Sequence, residues 1–521
     1  MIHLATYPGS QNDRPLPLPL DEQHLSSLPQ AKRFNLRGLI DCSTGHLSER
    51  QSKVGGDISS LVCLSISFLG RGDFNYVYRL EFSDGTQLAA SVSSASEQDY
   101  SPAAKESEIA TMRFVRESGL YPDVSVPQVY AWNTIFESPA GVPYVLMDFI
   151  KGTAFNLAVR DDDSDPGWYR GLRAVPESQQ VALVKAMARL KASLSKPVPF
   201  TEIGSLVVDS SGTFSVGPLM AVDGESLGGP YKSVEDMWRE SHEECLLGGI
   251  EECCDRTEES FTPFERFTPH DFMDRYQKLS ALIPHFKIPE PYTPLVLHHP
   301  DLALRNIFFD EESLLSDDPK VACVIDWSGA QILPLMLASC FPLDMVSTPS
   351  NPLEGPAERT WYSVPYDSTY FRDTDKTMVQ ERDSLREAKR YRCEIRLFYL
   401  RGLFGAHYGQ QIVKLHQDSD LPRATVYLDA QYYLKFHEVM MGSFHEWIVH
   451  RRWISETYWR LRMMPTGKSA SGERLVIGPN VYRSTKEPAV VDLGLLEDTP
   501  EETLSDQPLK CSRDLTVIQR R

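Results

Sequence analysis

Three oxygen-bearing side chains stand close together in the second half of this chain. Asp301 and Asn306 lie in His299-Pro300-Asp301-Leu-Ala-Leu-Arg305-Asn306, and a second carboxylate follows in Val324-Ile325-Asp326-Trp327. Asp, then Asn, then Asp is the order that phosphoryl transfer with bound magnesium requires. Such transfer asks little covalent chemistry of a protein. It needs a group that orients and deprotonates an attacking hydroxyl, and oxygen ligands that hold Mg²⁺ against the phosphates. Asp301 can serve as the base. Asn306 and Asp326 can serve as ligands, because Mg²⁺ is a hard cation that takes carboxylate and amide oxygens. D-x4-N alone is common; the His two residues before it, the apolar strand on either side and the closing Asp-Trp make it specific.

Those side chains need rigid neighbours. Leu295-Val-Leu297 and Val321–Ile325 are short apolar runs that read as strands. They put the Asp301 segment and Asp326 at neighbouring strand ends. Upstream, Leu61–Leu69 alternates like a strand and is followed by a Gly-containing turn at Gly70 and Gly72. Tyr76–Phe82 and Gln87–Ser93 flank an Asp84-Gly85 hairpin turn. A helix is expected over Glu106–Ser118, with Ile109, Met112 and Val115 on helical spacing, and two more strands over residues 127–132 and 143–150. Together these describe a small antiparallel sheet with one helix. Beyond Gly152 the patterning turns helical, over Gln179–Leu194, Glu381–Leu415 and Arg423–Ile454, with a hairpin at Ile203–Pro218. The acidic stretch 243–259 reads as a solvated helical face.

Three N-terminal features acquire meaning beside the Asp301 segment. Gly70, Gly72, Asn75 and Val77 form a Gly-rich turn that lets backbone amides approach phosphate, with Val77 over a purine ring. Taken alone, such a turn is more often structural. Glu108 sits inside a helix, where it could pair with a phosphate-binding cation; a lone helical Glu is ordinarily a surface residue. Met147 and Phe149 lie at the end of an apolar strand, placed to bond adenine through the backbone, or simply buried.

Composition excludes more than it assigns. The 521 residues carry 53 Lys and Arg against 72 Asp and Glu, a formal charge of −19. That disfavours nucleic acid, whose partners present basic stripes. It does not disfavour ATP, which metal and backbone amides hold locally. No run of about 18 apolar residues is present, so no transmembrane segment is expected. The N-terminus has neither a secretion signal nor an Arg-rich transit pattern. This favours a cytoplasmic protein, with a mitochondrial one as the alternative. Nine cysteines without a C-x2-C pair argue against structural zinc.

These residues resemble the aminoglycoside phosphotransferase and choline kinase branch of the protein-kinase-like fold, and more narrowly its fungal members of the altered-inheritance-of-mitochondria type. The matching stretches are Gly72–Gly85, Ser107–Arg113, Ile203–Leu206, His299–Phe308 and Val324–Ala330. The resemblance implies an α+β, bilobal protein: a sheet-rich N-lobe over 34–150 with a hinge at 144–152, and a mainly helical C-lobe over 151–480. Its catalytic loop would be 298–310 and its metal-binding strand end 321–330. Residues 1–33 read as a disordered lead and 481–521 as an acidic polar tail. The resemblance also implies ATP and Mg²⁺ as cofactors, a small-molecule hydroxyl as acceptor, Asp301 as base, Asn306 and Asp326 as metal ligands, and His299 as support for the loop, with His299 as direct base the alternative; Arg305 joins Asp301 and His299 in the catalytic set.

One position departs from the pattern. The third strand should carry a Lys or Arg to the phosphates, and Ser91 stands there instead. A hydroxyl neither pairs with Glu108 nor neutralises phosphate. No Lys or Arg occurs between Arg79 and Lys105. Either another cation substitutes (Lys105, Arg71 or Arg305), or the protein is a pseudokinase that binds nucleotide or a partner with little turnover. A metal-dependent hydrolase is a third reading, in which the Gly-rich turn and hinge have no task.

Overall fold

A computed structural model describes residues 16–17, 34–53, 61–72, 74–154, 172, 175–255, 268–345, 399–415 and 426–463. Nearly all of the 1–33 lead, residues 381–398 of an expected helix and the whole 481–521 tail lie outside the described residues. Two residues of the lead, Leu16–Pro17 (β1), pair antiparallel with Ser65 and Ile66 at the edge of the main sheet.

The first half is built on that sheet. After α1 (Leu36–Lys53) come β2 (Cys63–Arg71), β3 (Asn75–Phe82) and β4 (Gln87–Ser93). Then α2 (Pro102–Glu117) precedes β5 (Val129–Asn133) and β6 (Tyr144–Asp148). The antiparallel sheet runs β1-β2-β3-β4-β6-β5. Strand alternation divides it into two faces. Tyr76, Tyr78, Leu80, Leu88, Ala90, Val92, Tyr144 and Leu146 share one buried cluster with Leu36, Leu39 and Leu47 of α1. The intervening residues Val77, Ala89, Ser91, Val145 and Met147 take the opposite face.

Helix α1 was not expected from the pattern, because its sequence is polar and only a few apolar residues meet the sheet. It docks closely: a Cβ on Gly38 would lie 1.9 Å from the Pro139 carbonyl oxygen. Helix α2 begins four residues earlier than its apolar spacing indicates. Ser101 caps it by accepting from the Ala104 amide at 3.3 Å, and Pro102 occupies its first turn. The expected residues Ile109, Met112 and Val115 are its buried face.

The second half is mainly helical and holds three small sheets. Its elements are β7 (Thr153–Ala154), α3 (Glu177–Leu194), the hairpin β8 (Ser205–Val208) with β9 (Phe214–Gly217), α4 (Val234–Asp255) and α5 (Pro269–Leu282). Then come β10 (Leu295–His298), β11 (Ile307–Phe309), β12 (Val321–Val324), β13 (Gln331–Pro334) and α6 (Leu335–Ala338). Helix α7 (399–415), α8 (Val426–Met441), α9 (Phe444–Val449) and α10 (Arg451–Met463) complete it. The long helix expected to run to Ile454 is therefore broken. Gly442, a poor helix former, ends α8, and Ser443 takes an extended conformation that starts α9. Glu243, Glu244 and Glu251 on α4 are exposed, as a solvated face requires.

The pairing of the short strands positions the chemistry. β10 pairs with β13, bringing His298 opposite Gln331, and β11 pairs with β12, bringing Ile307 opposite Val324. The loop 299–306 joins β10 to β11; the loop 325–330 joins β12 to β13. Two antiparallel pairings therefore force the two loops to one place. Among the described residues no helix is long and apolar enough to cross a membrane.

Candidate active site

The two loops are stitched together by their backbones. Ile325 donates its amide to the Asn306 carbonyl at 2.9 Å, and His299 bonds the Ile325 carbonyl through Nε2 at 3.1 Å. His299 is buried, and its ring lies 4.7 Å from that of Trp327. Its other nitrogen, Nδ1, has no hydrogen-bond partner. Burial pushes the imidazole down to about 4, so the ring is neutral at physiological pH and Nε2 is the donor. His299 Nε2 thus ties the 299–306 loop to the 325–330 loop.

Asp301 is held from two sides. Asn306 donates from Nδ2 to the Asp301 carboxylate at 2.9 Å and to the Asp301 backbone carbonyl, also at 2.9 Å. Arg305 forms an ion pair with the other carboxylate oxygen. Both Asn306 contacts use the amide nitrogen, which leaves its Oδ1 as the atom able to ligate a cation. Asp344, missed in the sequence because it lies far downstream, accepts from the Leu304 amide at 2.6 Å and anchors the same loop from below.

Asp326 has φ of 62°, the one described non-glycine residue with positive φ. Such a conformation is costly for a side-chain-bearing residue and is kept where the surroundings enforce it. The turn continues through Gly329 at φ 67°, where a Cβ would come within 2.7 Å of the Val222 amide nitrogen. Asp326 is exposed as a residue, yet desolvation of its carboxyl among its neighbours, then the Glu108 and Asp301 carboxylates, push it up to about 6, against the opposing pull of Lys105 and Ser328. Glu108, Asp301 and Asp326 thus lie within electrostatic reach of one another. Asn306 Oδ1 and the Asp326 carboxylate are oxygen donors of the kind a hard divalent cation takes.

Helix α2 contributes the rest. Lys105 Nζ lies 2.7 Å from Glu108 Oε2, with both side chains only 12% exposed. It also lies 3.5 Å from Asn75 Oδ1 at the start of β3. Ser328, two residues after Asp326, donates to Glu108 Oε2 at 3.2 Å. That link was missed as well, although its place directly after Asp-Trp was a signal. A cleft lined by Phe74, Asn75, Lys105, Glu108, Asp223 and Ser328 opens between the Gly-rich turn, α2 and the loop after Asp326.

The remaining expected residues lie on the sheet. Gly70 pairs with Val77 across β2 and β3, and the Gly72 amide bonds the Asn75 carbonyl at 2.9 Å. Ser91 is buried opposite Val77 and Val145, and Met147 pairs with Ala89. Arg79 covers the ring of Phe149 at 4.7 Å. Asp148 accepts from the Gln128 amide at 2.9 Å and from the Tyr130 hydroxyl, fixing the end of β6. One further cluster, Glu438, Glu446 and His450, has cation-ligating side chains. The Lys435 ammonium already lies 2.9 Å from Glu438 and 3.0 Å from His450.

No family model matches the chain. The chain is similar to altered inheritance of mitochondria protein 9 of Yarrowia lipolytica, 24% identical over 208 residues, which are 40% of this chain and 34% of that protein. It is also similar to a subtelomeric hrmA-associated cluster protein of Aspergillus fumigatus, 25% identical over 339 residues, which are 54% of this chain and 60% of that protein. The matches thus span about a third and three fifths of those relatives' own lengths. Among solved structures it is similar to an aminoglycoside phosphotransferase from Alicyclobacillus acidocaldarius, at 11% identity and TM-score 0.31, covering 76% of this chain and 91% of that one. It is likewise similar to the ethanolamine kinase of Plasmodium vivax, at 12% identity and TM-score 0.31, covering 81% and 96%. By its described elements the chain is an α+β protein, and its similarities run to small-molecule phosphotransferases and to a fungal protein of the altered-inheritance-of-mitochondria type.

Proposed function

We propose that this protein is an ATP- and Mg²⁺-dependent phosphotransferase acting on a hydroxyl of a small molecule. The observation that carries the proposal is the convergence of Asp301, Asn306 and Asp326 from two separately paired loops. A metal-dependent hydrolase would need the same carboxylates, but the Gly-rich turn, Lys105 and Glu108 closing over them suit a polyphosphate.

In this reading Asp301 orients the acceptor. Its carboxylate accepts the hydroxyl proton while the acceptor oxygen bonds to the γ-phosphorus; the bond from that phosphorus to the bridging oxygen breaks, and ADP leaves with the electron pair. Arg305 and Asn306 fix the carboxylate so that little reorganisation is needed as the proton moves. Asn306 Oδ1 and the Asp326 carboxylate would hold Mg²⁺, whose contribution is to neutralise phosphate oxygens. The 70–77 turn covers the phosphates, and the backbone at Met147–Phe149 receives adenine.

The test is a thermal shift series with ATP, Mg²⁺ and both, followed by ADP formation. A shift needing both ligands, with turnover abolished in Asp301→Ala, is expected. A shift indifferent to metal, with no ADP formed, contradicts the proposal. The name of the Yarrowia relative places that protein in mitochondria. Cell fractionation checks the same location for this chain, against the cytoplasmic recovery that the N-terminal composition favours.

A further inference from the structure

Phosphoryl transfer needs a cation on the phosphates, and the strand position that would supply it is a buried serine. We propose that Lys105, one turn into α2, is the phosphate-contacting cation of this site, so that a helix does the work expected of strand β4. This rests on the phosphotransferase reading above and assigns a catalytic residue within it.

Three basic side chains near the site are candidates, and geometry separates them. Arg305 is committed to Asp301. Arg71 lies exposed at the end of β2, its guanidinium 5.4 Å from the Tyr76 ring. Lys105 lines the cleft itself, between the Gly-rich turn and the loop that carries Asp326. Its Nζ meets Glu108 at 2.7 Å and Asn75 at 3.5 Å. The three-residue spacing keeps Lys105 and Glu108 on one side of the helix.

The charge count points the same way. Glu108 lines this space and pairs with Lys105, and the Lys105 charge also acts on Asp326, next to the cleft-lining Ser328. An incoming polyphosphate brings negative charge to a region where a largely buried ammonium is already held by Glu108. Ser328 donates to the same oxygen of Glu108, Oε2, at 3.2 Å, so Glu108 keeps a partner when Lys105 turns toward a phosphate oxygen. Placing the lysine on the helix also accounts for Ser91. Ser91 shares a sheet face with Asn75 and Val77 by strand alternation, and Asn75 is the residue of that face that Lys105 reaches, so a small residue on β4 is compatible with the exchange.

The test uses the full chain, with binding of MgATP and of adenosine measured beside Mg²⁺-dependent ADP formation. Lys105→Met keeps the length of the side chain and removes its charge. It is expected to lower turnover about 10²-fold and to weaken MgATP binding while leaving adenosine binding within twofold. Lys105→Arg retains part of the activity. Adding Ser91→Lys to Lys105→Met returns at least tenfold of the lost turnover. Lys105→Met with wild-type turnover, or with equal losses for MgATP and adenosine, overturns the assignment, the latter because it marks a purely structural role. A wild-type protein that forms no ADP at all instead overturns the underlying phosphotransferase reading.

Discussion

Asp301, Asn306 and Asp326 are legible as a group because their chemistry is dictated by side-chain type. Oxygen ligands suit Mg²⁺, and a fixed carboxylate suits the base of the proposed transfer. Asp301→Asn keeps the shape and the Asn306 contact but removes the base. We expect turnover to fall by about 10²–10⁴-fold with MgATP affinity little changed, as read by steady-state rates and calorimetric titration. His299 is a residue whose role was legible only in outline. Its ring is neutral in the fold at about 4, below the ordinary value of about 6.5 for an unfolded chain. As pH falls through that window the unfolded chain takes up the proton first, so the native state loses up to about 3 kcal/mol from this group. Above about pH 6.5 the loss is absent. His299→Gln should therefore be less stable than wild type at pH 7.5, and the gap should narrow toward pH 4. The comparison is made as a difference between variants, because Asp326, raised to about 6, contributes with the opposite sign. A gap that stays constant from pH 7.5 to 4 would show that the ring does not stay neutral.

At the scale of elements, alternation and turn residues identify what they specify directly. The β3–β4 hairpin is set by Asp84-Gly85, with Gly85 at φ 83°, and its register follows from one face being buried. Helix α1 escaped because its docking depends on closeness rather than on a continuous apolar stripe. Gly38 permits that closeness. Gly38→Ala would press a methyl group into the Pro139 carbonyl, and a loss of about 1–3 kcal/mol is expected in chemical unfolding. Gly329 is the corresponding hinge of the site. Its positive φ and the 2.7 Å approach of the Val222 amide leave no room for a Cβ. Gly329→Ala should cost about 1–3 kcal/mol and, by displacing Ser328 and Asp326, reduce turnover more than it reduces stability. Equal thermal midpoints and equal rates for the two proteins would show that the turn is not a constraint. The break at Gly442 was also visible as a residue, but the apolar pattern on both sides hid it.

For the whole molecule, what the sequence could not disclose is which elements lie beside the metal-binding end. The two loops meet because β10 pairs with β13 and β11 with β12, pairings across more than thirty and about fifteen residues of chain respectively, and no local signal specifies either. The same holds for Lys105, whose nearness to Glu108 is local but whose approach to Asn75 depends on how α2 lies against the sheet. Ser91 by itself suggested an incomplete site. The proposed cation stands on another element, at Lys105, which lines the cleft beside Glu108. The measurement that bears most directly on the account is the rate of ADP formation from ATP by the full chain, with Mg²⁺ and with EDTA. The account predicts ADP formation that requires Mg²⁺ and is lost in Asp301→Asn. ATP bound without any ADP formed, or a rate unchanged by EDTA or by Asp301→Asn, would contradict it.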